Sequence, residues 1–149
     1  MVYSATICSA QSQEYVAYCN ERFGFCVEYP DGFQMETPPD NGDGIQLFDR
    51  NKFMMIASGI NNATDNTLST EMAEQGMAFD SITYRKEGDN WFVLSGFKGG
   101  DILYLKTYVG KGSINHLYIQ YAVNQKKEYD TIVSHLSRSF KPGDLTEFH

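Results

Sequence analysis

From residue 23 onward, apolar and polar positions alternate in short runs broken by Gly, Pro, Asn and Asp, the pattern of an antiparallel sheet. Phe23 to Tyr29 reads as a strand stopped by Pro30-Asp31-Gly32, and a long Pro/Asp/Gly loop runs from Glu36 to Gly44. Runs 45–49 and 53–60 flank Arg50-Asn51-Lys52 and predict a hairpin; 61–66 is a polar loop. Thr67 is placed to cap a short helix over 68–79, with Glu71 and Glu74 early enough to complement its dipole. Four further strand-like runs, 82–87, 91–98, 102–110 and 114–123, form a meander. In the last of these, Leu117, Ile119, Tyr121 and Val123 share one face, and His116, Tyr118 and Gln120 the other. Residues 125–140 carry Tyr129, Ile132, Val133, Leu136 and Phe140 at helical spacing before Lys141-Pro142-Gly143. The expected fold class is α+β: a single twisted antiparallel sheet with helices packed on it.

The run Phe23-Gly-Phe-Cys-Val-Glu-Tyr-Pro-Asp-Gly-Phe33 resembles the start of the PsbP-like superfamily, in which an aromatic-x-aromatic precedes Tyr-Pro-x-Gly and an aromatic. Ile132 to Phe140, ending in Ser-Phe, is similar to that superfamily's closing helix. The resemblance spans residues 23–141 and implies an α/β/α sandwich. It also implies a function, because the superfamily's photosystem subunit, Ran-binding transport factor and periplasmic immunity proteins share binding without chemistry. The division expected is a lead-in over 1–22, a single domain over 23–141 and a tail over 142–149.

Composition narrows the reading further. A net charge of −7 argues against a nucleic-acid partner. Residues 1–80 hold 3 basic and 12 acidic side chains, whereas 81–149 hold 9 basic and 7 acidic, so the acidity lies in the first half. Residues 2–10 read as the end of a signal peptide, with Cys8 and Ala10 at the small-residue positions of a cleavage site. In that context Cys19 and Cys26 are a candidate disulfide, and the expected location is secreted or periplasmic. No apolar run is long enough to span a bilayer.

No motif reaches a catalytic or cofactor signature. There is no Gly-x-Ser-x-Gly and no His/Cys pairing at metal spacing, so no cofactor or metal is expected. Two surfaces remain. Hairpin geometry makes loops 36–44 and 61–66 neighbours, gathering Glu36, Asp40, Asp43 and Asp65 with Asn41, Asn61, Asn62 and Asn66 at one rim of the sheet, a site for a partner protein with a basic surface. The second is a polar sheet face of Tyr104, Lys106, Tyr108, His116 and Tyr118, where a small ligand-binding domain or enzyme would place its pocket. The non-catalytic binding domain, of the immunity or inhibitor type, is the favoured expectation.

Overall fold

The computed structural model describes residues 12–50 and 52–149. Its main sheet has seven antiparallel strands in the order β3-β4-β5-β9-β8-β7-β6. The strands are β3 (Gln34–Met35), β4 (Gly44–Asp49), β5 (Phe53–Asn61), β6 (Ser81–Glu87), β7 (Trp91–Lys98), β8 (Asp101–Val109) and β9 (Ser113–Ala122). The hairpin and the meander fall where periodicity puts them. β9, last in sequence among the strands, inserts beside β5 and joins the two units.

Two helices sandwich this sheet. Helix α2 (Lys126–Ser139) buries Tyr129, Val133 and Leu136, with Phe140 just beyond it, against Leu47, Phe53, Met55, Ile119 and Tyr121. Ile132 is partly buried at the margin of this core. Helix α1 (Leu68–Gly76) lies on the opposite face over Phe92, Leu94, Val109 and Ile114. Thr67 caps it as expected, accepting a hydrogen bond from the Thr70 amide. The helix ends at Gly76, three residues short of the predicted boundary.

Three expectations change. Part of the lead-in is structured, because β1 (Tyr15–Cys19) pairs with β2 (Cys26–Pro30) in a two-stranded ribbon. The strand expected over 23–29 therefore belongs to this ribbon and packs against α2, leaving the seven-stranded sheet to carry the fold. Cys19 and Cys26 are opposite residues of the ribbon and form a disulfide. Cys8 and the signal-like residues 1–10 lie outside the described residues. Val123 leaves the inner face: β9 ends at Ala122, and Val123 opens a 3-10 turn with its side chain exposed.

The expected tail is bonded to the domain along its length. Lys141 exchanges both backbone hydrogen bonds with Cys26, and the Leu145 carbonyl accepts from the Gly112 and Ser113 amides. Leu145 is buried. Gly143 passes so close to Phe23 that a Cβ would stand 1.8 Å from its carbonyl oxygen, which excludes every other residue without a backbone shift. At the end of this strap, the His149 amide donates to the Asn61 side chain.

Because the ribbon is small and its loop short, the disulfide acts mainly on the unfolded chain. Replacing both cysteines by serine is expected to lower stability by about 2 kcal/mol. Urea denaturation of the double variant beside the oxidised protein measures this. An unchanged midpoint would show that packing on α2 holds the ribbon without the bridge.

Candidate functional site

The two rim loops meet through residues that no local pattern joins. The Arg22 guanidinium, at the tip of the ribbon, donates through Nη1 to Asp43 Oδ1 (2.6 Å) and to the Asn41 carbonyl (3.0 Å), and through Nε to the His149 carbonyl (3.1 Å). Asn61 completes the bridge from the other side, donating to the His149 carbonyl (3.1 Å) and accepting from its amide (2.8 Å). Asn20 Nδ2 fixes the Gly42 carbonyl at 2.9 Å, and Asn41 Nδ2 donates to Asp43 Oδ2 at 2.7 Å. Arg22 and His149 lie 127 positions apart in sequence, so no local signal reveals the cluster.

The gathered residues divide into two kinds. Asp43, Asn41 and Asn61 are spent on the frame just described. Asn62 is also structural: only 3% exposed, it donates to the Asn66 and Gly110 carbonyls and accepts from the Asn66 amide. Its expected role as an exposed hydrogen-bonding group is therefore corrected, since buried backbone groups of a tight loop need a side-chain partner. Asn66 turns inward as well and donates to Glu71 and Glu74. Glu36, Asp40 and Asp65 remain exposed, with Asp65 in the left-handed region at φ 53°. Shorn of its internal pairs, the rim is a rigid frame carrying three outward carboxyl groups.

The second surface does not exist as one face. In the β8–β9 pairing Thr107 stands opposite His116 and Tyr104 opposite Ile119, and opposite residues point to the same side. Tyr104, Lys106 and Tyr108 therefore face α2, whereas His116 and Tyr118 face α1. On the α2 side, Tyr104 Oη and Ser137 Oγ share a 2.6 Å hydrogen bond, and Tyr108 Oη donates to the Phe140 carbonyl. Burial pushes the Tyr104 hydroxyl above its ordinary pKa.

On the α1 side, His116 Nδ1 shares a 3.1 Å hydrogen bond with Thr107 Oγ1, and its Nε2 lies 3.7 Å from Glu71 Oε1. Glu71, placed by the sequence at the helix dipole, is 5% exposed and also accepts from Gln75 Nε2. The order hydroxyl, imidazole, carboxyl has the form of a nucleophile-base-orienter set. Its hydroxyl is sealed, however, since Thr107 is 1% exposed, and the adjoining cavity of about 200 Å³ is bounded by Ile56, Ser58, Gln75 and Tyr118. The set as folded holds α1 to the sheet.

Burial depresses the His116 pKa below 6.5, with Glu71 opposing part of the shift. The unfolded chain thus binds this proton more readily than the folded one. The resulting stability is complete above about pH 6.5 and is lost as the pH falls through the folded-state value. His116→Gln is expected to flatten the decline in urea midpoint between about pH 7 and 5. A variant with the wild-type slope would assign the decline to other groups.

No helix among the described residues is long and apolar enough to cross a membrane, and no group of three or more metal-ligating side chains occurs among them. No family model and no curated protein matches the sequence. Among solved structures, the cyanobacterial PsbP of Synechocystis, determined in solution, superimposes with a TM-score of 0.62 over 95% of this chain and 98% of its own, at 11% identity. That superposition over nearly the whole of both chains establishes that this protein has a PsbP-like fold.

Proposed function

We propose that this chain is a non-catalytic protein-binding domain working in a secreted or periplasmic setting, with the loop rim as its contact surface for a basic partner. The observation that carries the reading is the preorganisation of the rim. Arg22, Asn20, Asn61 and Asn62 immobilise the loops from within, while Glu36, Asp40 and Asp65 stay free of ion pairs among the described residues. Loops fixed before contact lose little entropy on binding, so a small charged surface suffices for specific recognition. The Cys19–Cys26 bridge supports the location, because disulfides persist in oxidising compartments. The fold supports the binding role by analogy only.

The test uses the domain and its Glu36→Gln/Asp40→Asn/Asp65→Asn variant as paired baits in an extracytoplasmic fraction. A specific partner is expected to bind wild type with an association rate that falls steeply with salt, and to bind the variant about tenfold more weakly at an unchanged melting temperature. A partner that binds both proteins equally overturns the rim assignment. Turnover of a small molecule that disappears in His116→Gln would favour the ligand-pocket alternative.

A further inference from the structure

Helix α2 covers only part of its face of the sheet. Beyond it lies a strip formed by β7 and edge strand β6 and bordered by β8, whose Tyr104 and Lys106 reach the margin of α2, and its residues follow from the register. One row across the strands is Tyr104, Ser95 and Tyr84; the next is Lys106, Val93 and Lys86. The floor, Ser95 and Val93, is small, and the side chains flanking it are long. Tyr84 is 50% exposed and Phe97, farther along β7, is 39% exposed.

The lysines are unusual for a sheet surface. Lys106 is half-buried, and its ammonium is held by the Ser137 carbonyl at 2.7 Å and lies 5.4 Å from the centre of the Tyr108 ring. Burial, and secondarily the charge of Lys141, lower its pKa. Among the described residues, none of Lys86, Lys106 and Lys141 forms an ion pair. A cation drawn part-way out of water beside a like charge is costly until an anion arrives. The strip therefore carries uncompensated positive charge on a chain whose net charge is −7.

Its dimensions select the occupant. Three strands span about 10 Å across, the diameter of one α-helix, and the eight residues of β7 run about 26 Å, the length of about 18 helical residues. We infer that the β6–β7–β8 strip is a docking surface for an amphipathic α-helix of a partner protein, laid beside α2 with its apolar stripe on Phe97 and Tyr84 and its acidic residues against Lys86 and Lys106. This goes beyond the rim reading and calls on different residues.

Trp91, the only tryptophan in the chain, stands at one end of the strip opposite Tyr108 and reports on its occupancy. The probes are three synthetic helices of about 18 residues with one apolar stripe flanked by Glu, by Gln or by Lys. At about 50 mM salt the Glu helix is expected to shift Trp91 emission and to bind at least about tenfold more tightly than the other two. Tyr84→Ala/Lys86→Glu alters only exposed edge residues and is expected to lose that binding at an unchanged melting temperature. Lys106→Gln, whose amide still donates to the Ser137 carbonyl, is expected to weaken it as well. The rim triple variant retains it, which separates failure here from failure of the rim. Equal affinity for all three helices, absence of binding, or unaltered binding by Tyr84→Ala/Lys86→Glu overturns the inference. So does binding of phosphatidylglycerol vesicles in place of the helix, or self-association that the same variant abolishes, since the occupant is then a membrane or a second copy.

Discussion

Leu136→Ala will lower the stability of this protein by about 2–5 kcal/mol, the range for deleting a buried leucine from a core that collapses only partly around the gap. Leu136 is completely buried, on the turn of α2 that faces the β1–β2 ribbon and the sheet together. The aromatic rings beside it cannot follow a retreating side chain: Phe25 and Phe140 meet edge to face with centroids 6.0 Å apart, and Phe140 also touches Tyr108. Rigid rings leave the cavity open, which favours the upper half of the range. Chemical denaturation read by Trp91 emission measures the loss. A change below about 0.5 kcal/mol would mean that the helix is docked on another face.

Asn62→Ala will cost about 3 kcal/mol, although the residue sits in a polar loop where substitutions are usually cheap. Its side chain is buried and satisfies two carbonyls and one amide that tie the part-buried loop before α1 to the β8–β9 turn. Each orphaned buried group costs on the order of 1–3 kcal/mol, partly recovered if water enters. The same variant separates architecture from recognition. If Asn62 were a contact residue, affinity would fall at constant stability; as a loop anchor, stability falls first, and thermal denaturation shows it directly.

How much of this was legible depended on the range over which each feature is decided. The stripe Tyr129, Val133, Leu136 and Phe140 and the alternation of Leu117, Ile119 and Tyr121 are local periodicities imposed by one buried side, so the sequence displays them. The capping role of Thr67 is equally local. What the sequence hides is set between segments. Tyr104 and His116 read as one face because each alternates correctly within its own strand. Their relation rests on the turn Gly110 to Gly112, and a shift of one residue in register exchanges the faces. Strand β1 leaves little trace in the sequence because its short run, Tyr15 to Cys19, is set by its partner strand and the disulfide. The strap after Lys141 is held mostly by backbone hydrogen bonds, which leave no hydrophobic trace apart from Leu145. In the rim, hairpin geometry accounts for the proximity of the loops, while Arg22 and His149 come from far-off parts of the chain.

The pairing of β5 with β9 also governs when the protein can become itself. It joins residues 52 to 68 positions apart, at the middle of the sheet. Until β9 exists, the 44–61 hairpin is a two-stranded piece with a bare edge, and such pieces are marginal in water. Closing so long a loop before any contact rewards it places folding toward the slow end for small domains. A ribosome must therefore release the chain beyond Ala122 before the central strands can pair, and α2, which seals the larger core, follows later still. The centre of the sheet is thus closed by the last third of the chain, and the hairpin and the β6–β7–β8 meander stay separate pieces until β9 joins them.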